Sequence, residues 1–95
     1  MFVGLCKFAV ELAGASSLKE KRNFLQRAKQ KSFDRFKVHL SEVEDLDLRE
    51  RAVLGFALAG PDENSLRTVI HKLLAFLEES EGVRISEEAV EVFQW

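Results

Sequence analysis

The chain has one cysteine, one proline, one tryptophan, two histidines and no tyrosine among its 95 residues. Each scarcity removes a class of protein. Cys6 alone cannot form an internal bridge, and a secreted domain this small would often be stapled by several; a reducing, cytoplasmic setting is expected. No apolar run approaches the roughly 20 residues that span a bilayer, so no membrane partner or anchor is expected. Met1 to Cys6 meets Lys7 without a basic leader or a small-residue cleavage site, and no signal peptide is expected. Cys6, His39 and His71 show no paired spacing of the kind that assembles about four nitrogen or sulfur ligands. No metal and no cofactor are therefore expected.

What is present is the composition of a globular protein, 46% hydrophobic and 32% charged, well away from the polar mixtures that stay disordered. A chain of this length holds one core, so residues 1–95 are read as a single domain. The formal net charge is only −2, yet it is unevenly spread. Between Lys19 and Lys37 eight cations face only Glu20 and Asp34, a local charge of +6 that leaves −8 for the rest of the chain. One surface is thereby suited to an anionic partner.

The hydrophobic pattern gives the order of elements. From Phe2 to Leu12 the apolar residues alternate with the period of a strand buried mainly on one side. Gly14 breaks it, and Ser17-Leu18-Lys19-Glu20 matches a capping box that opens a helix. At about 100° per residue, Leu18, Lys21, Leu25, Ala28 and Ser32 share one arc with Phe24 at its edge. This helix is expected to end near Ser32 or Asp34, and Phe36, Val38, Leu40 and Glu42 then alternate as a second strand. The acidic stretch 44–50 reads as a loop, and Ala52 to Ala59 as a central strand. Gly60-Pro61-Asp62 makes a turn. A second helix follows, capped by Asp62 or Asn64, with Leu66, Ile70, Leu73 and Leu77 on its apolar face. Val83 to Trp95 alternates in two phases, which implies a bulge near Ser86 to Glu88.

The order βαββαβ predicts an α+β, ferredoxin-like fold: a four-stranded antiparallel sheet with both helices on one face. The other face is left open. By parity it shows Val3, Leu5, Lys7, Ala9, His39, Ser41, Val43, Val53, Gly55 and Ala57, apolar enough to suggest a homodimer.

Ser17-Leu18-Lys19-Glu20-Lys21-Arg22, Val38 to Val43, and Asp47 through Ala52-Val53-Leu54-Gly55 occur in an order and spacing that resembles the YlxP-like family of small bacterial proteins of undefined function. The resemblance runs over essentially the whole chain, and the SLKEKR hexapeptide is its most specific element. It implies a ferredoxin-like fold. Because the genes of that family often neighbour those of translation and ribosome-maturation factors, it also implies a role on RNA or the ribosome.

Catalytic constellations are missing. Parity puts Cys6 on the core face and His39 on the opposite one, which separates a thiol from its base. Acylphosphatases share this topology, but the loop Ala13-Gly14-Ala15-Ser16-Ser17 lacks the Gly-Val-x-Phe-Arg ending that places an arginine over phosphate. Ser16 and Ser17 at the helix N-terminus could at most hold an anion weakly. RNA-recognition motifs display aromatics on the open sheet, whereas Phe8 and Phe56 have core parity and the signature octapeptide is absent from Ala52 to Ala59. No enzyme is expected.

What remains is the basic helix. Lys19, Arg22 and Lys29 project to one flank beside Asn23, Gln26 and Gln30, an arrangement that suits a phosphate track, with Lys7 or Arg35 in support. Arg27 and Lys31 read as ordinary surface charges. Lys21 points toward the sheet, where an ammonium needs a carboxylate; Glu42, of core parity, is the expected partner. The expected function is that of a non-enzymatic RNA- or ribosome-associated factor. The alternative is a dimeric interaction or ligand-sensing module that uses Val3, Leu5, Val43 and Val53.

Overall fold

In the computed structural model, which describes residues 1–14 and 17–95, alternation along the first strand becomes a two-sided surface. The elements are β1 (Phe2–Glu11), α1 (Leu18–Phe36), β2 (Ser41–Glu44), β3 (Arg51–Gly60), α2 (Glu63–Glu81) and β4 (Arg84–Gln94). The strands form one antiparallel sheet in the order β2-β3-β1-β4. This is the ferredoxin-like βαββαβ fold. Cys6, Phe8 and Val10 of β1 and Leu54 and Phe56 of β3 face both helices and form one core with Leu25, Ala28, Ile70, Leu73 and Leu77. Phe8 and Phe56 meet edge to face at 6.4 Å, the orientation favoured by ring quadrupoles.

Local signals set the helix ends. Ser17 caps α1 by accepting the Glu20 N–H at 3.2 Å, and Asp62 caps α2 by accepting the Ser65 N–H at 2.9 Å and its hydroxyl at 2.6 Å. A cap of this kind contributes about 1 kcal/mol. Gly82 closes α2 with φ of 62°, a left-handed geometry that costs glycine nothing.

Two expected element bounds change. Helix α1 runs on to Phe36, and Lys37 takes the left-handed closing position with φ of 57° while its N–H donates to the Phe33 carbonyl at 2.9 Å. Phe36 satisfies both periods. It continues the buried arc of α1 and meets Phe76 of α2 at 5.7 Å, so tertiary packing selects helix there. Val38 and Leu40 are buried as alternation required, but the β2 ladder begins only at Ser41.

The expected bulge in β4 is present. Lys7 pairs with Ala89 and Ala9 with Ser86, so two residues are accommodated opposite Phe8, and Glu87 has φ of 53°. On the open face Leu5 and Val43 are exposed, whereas Ala9 is 1% and Val53 3% exposed. Val53 is thus withdrawn from the contact set expected of a dimer. It lies in register with Ala9, between the Lys7–Glu44 pair and Arg51, which binds Glu11, Asp45 and Glu87 from three sides. Among the described residues no helix is long and apolar enough to cross a membrane.

Candidate functional site

Helix α1 sorts its cations by direction. Lys21 is 2% exposed. Its Nζ donates to the carbonyls of Asp45 at 2.8 Å, Leu46 at 3.4 Å and Leu48 at 2.5 Å. Its Nζ also lies 2.7 Å from Glu42 Oε2, a buried ion pair. The ammonium therefore holds the β2–β3 loop closed and is unavailable to any ligand.

Arg27 and Lys31, one turn apart, both bind Glu81 at the end of α2, at 3.0 and 2.5 Å. The Glu81 side chain is only 3% exposed. Burial pushes its carboxyl up, but the hydrogen bonds from Lys31 and Arg27 outweigh this and hold it below the usual carboxylate range. These two cations are thus a lock between helices rather than ordinary surface charges. The i, i+4 spacing of like charges beside an acidic helix end was the sequence signal for it.

Lys19, Arg22 and Lys29 are exposed, and among the described residues none of them has an ion pair. At about 100° per residue they share an arc of about 80° with Gln26 and Phe33, centred about 120° from the middle of the buried arc. These three lie along one flank of α1, with Lys19 and Lys29 about 15 Å apart along its axis, and the structure separates the two cations expected to assist. Lys7 lies on the opposite side of the sheet and binds Glu44 at 2.7 Å, since its odd position on β1 faces away from both helices. Arg35 has turned toward α2, where its guanidinium lies 4.8 Å from the Phe76 ring centre. Clustering in sequence placed Arg35 near the flank, whereas Lys7 already had open-face parity and was only a supporting cation; the geometry of strand and helix faces removes both.

The flank has an aromatic end that sequence reasoning missed. His39, expected on the open sheet, precedes β2 and meets Phe33 of α1 with ring centres 4.7 Å apart and planes 44° apart. Phe33 is 39% exposed, and Lys37 Nζ lies 5.3 Å from its ring centre. A shallow groove of about 650 Å³ is lined there by Gln26, Arg27, Lys29, Gln30, Phe33 and His39. The anion-binding role considered for Ser16 at the helix N-terminus falls outside the described residues.

Among the described residues the cysteine is not activated as a nucleophile. Cys6 is buried, and burial together with the charge of Glu88 pushes its thiol up to about 11, which leaves little thiolate at neutral pH. Among the described residues no group of His, Cys, Asp and Glu side chains could hold a metal ion.

Residues 3–90 match the family described as "Protein of unknown function (DUF503)". The chain belongs to the DUF503 family. No curated protein matches it. Among solved structures, this DUF503 chain is similar to a structural-genomics protein, YJCS, with a TM-score of 0.54 at 9% identity over 94% of this chain and 96% of that one. It is also similar to a variant of SnoaB, a cofactor-independent oxygenase from Streptomyces nogalater, with a TM-score of 0.50 at 11% identity over 99% and 92%. At these identities the likeness is one of fold, which many unrelated activities share.

Proposed function

We propose that this chain is a non-enzymatic RNA- or ribosome-associated factor of the YlxP-like kind, which grips phosphates through Lys19, Arg22 and Lys29. The observation that supports this reading is the sorting of cations on α1. Lys21, Arg27 and Lys31 are neutralised by partners inside the molecule, while three neighbours on the outer flank are exposed and have no ion pair among the described residues. Cations in that state release counterions when they meet phosphates, so binding is steeply dependent on salt and poor in base specificity.

The test is binding to structured RNA and to ribosomal subunits at several salt concentrations, with Lys19, Arg22 and Lys29 all replaced by Glu. Loss of three phosphate contacts is expected to flatten the slope of log affinity against log salt by about 2 to 3 units. Equal binding by the reversed protein, or none by either, removes the reading.

A second reading takes the opposite side of the molecule. Leu5, Val43 and Phe93 are 39%, 45% and 42% exposed, and Leu5 and Val43 border a shallow depression of about 590 Å³ floored by Gly55. Exposed apolar area of this kind fits a homodimer through the open sheet. Sedimentation over a range of concentrations should then show a dimer that Leu5→Lys converts to monomer; a monomer at every concentration is incompatible with it.

A further inference from the structure

The aromatic end of the basic flank carries more than a phosphate track requires. We infer that Phe33 and His39 form a stacking platform for an unpaired base, so that the ligand is single-stranded RNA at this end of the site. The inference rests on the phosphate-binding reading and specifies its ligand. Lys29 lies one helical turn, about 6 Å, before Phe33 on the same face of α1, so a backbone held by Lys29 brings its bases to the two rings. Phe33 is 39% exposed although it packs on His39, and the groove beside it is lined by Gln26, Lys29, Gln30, which donates to Asp34 at 2.9 Å, and Arg27, which is held by Glu81.

An exposed phenyl ring amid ammonium groups is a poor site for an aliphatic protein surface and a good one for a polymer that carries one anion per aromatic ring. Such stacking is sequence-tolerant because every base offers a π-face. A duplex hides those faces between neighbouring base pairs, so it should meet only the cations. Gln26 adds an amide on the same arc that can reach base edges without dictating one base.

The experiment measures anisotropy of a labelled oligouridylate of about 12 nucleotides, the length scale of single-strand sites, against an RNA duplex of equal length. The proteins are the full chain, Phe33→Leu, His39→Ala and the triple Lys19→Glu, Arg22→Glu, Lys29→Glu variant. Phe33→Leu retains apolar bulk, and thermal melts matching the parent show that it folds. Phe33→Leu and His39→Ala are each expected to weaken oligouridylate binding about tenfold or more and to leave duplex binding unchanged, while the triple variant weakens both. If only the triple variant weakens binding, the platform is wrong and the phosphate track stands. If Phe33→Leu weakens both ligands equally, or polyglutamate binds as tightly as oligouridylate, the platform is likewise wrong. Absence of binding by the parent chain to either RNA overturns both readings.

Discussion

Lys21→Met is expected to destabilise the fold by about 3 to 5 kcal/mol, the usual cost of removing one partner from a buried charged cluster. Methionine keeps the unbranched stem that packs between helix and sheet, so packing loss contributes little. The loss falls on the polar groups left behind: the carbonyls of Asp45, Leu46 and Leu48, and the Glu42 carboxylate, whose side chain is 16% exposed. Against a total stability of about 5 to 15 kcal/mol for a domain of this kind, that is a large fraction. Urea unfolding measures it. Glu42→Gln leaves three carbonyls to hold the ammonium, whereas Lys21→Met strands those carbonyls and the carboxylate together, so Glu42→Gln should cost less than Lys21→Met. Parity between the two variants would show that the ion pair, rather than the carbonyl cage, dominates. A loss below about 1 kcal/mol for Lys21→Met would place this lysine among ordinary surface charges.

The same lysine shows how far sequence reasoning reaches. Its inward direction follows from the 3.6-residue period and the core parity of Glu42 from the period of two, and the two groups do meet at 2.7 Å. The three carbonyls carry no trace in the sequence, because every residue supplies one and only the path of the loop brings them together. Ala9 and Val53 repeat the lesson. Parity placed them on the open face, but the Arg51 cluster and the Lys7–Glu44 pair depend on the register shift between Glu42 and Glu44 in β2 and the bulge at Glu87. Phe33 lies on α1 and His39 in the link to β2, and the extra helical turn that ends at Phe36 sets where His39 falls. Order of elements, helix faces and caps are local and periodic properties; contacts made by loops and by bulged strands are neither.

Glu81 gives the second large effect, and its origin lies in an awkward position. A carboxylate in the last turn of α2 faces the negative end of the helix dipole and is nearly buried, so it depends on Arg27 and Lys31. Glu81→Gln keeps the shape and removes the charge that two charge-assisted hydrogen bonds need, an expected loss of about 2 kcal/mol at neutral pH. The folded carboxyl titrates below its ordinary value of 4.5, so in acid the unfolded chain binds the proton first. This stability is therefore complete above the unfolded value and disappears as the pH falls through the folded one. Urea midpoints of parent and variant should differ at pH 7 and converge in acid; a gap that stays constant or widens as pH falls contradicts the assignment. The variant also bears on the basic flank. Freed from Glu81, Arg27 and Lys31 would extend the exposed charge of α1, so Glu81→Gln is expected to bind RNA more tightly while it folds less stably. A gain in one with a loss in the other would tie the lock between the helices to the number of cations that the flank can offer.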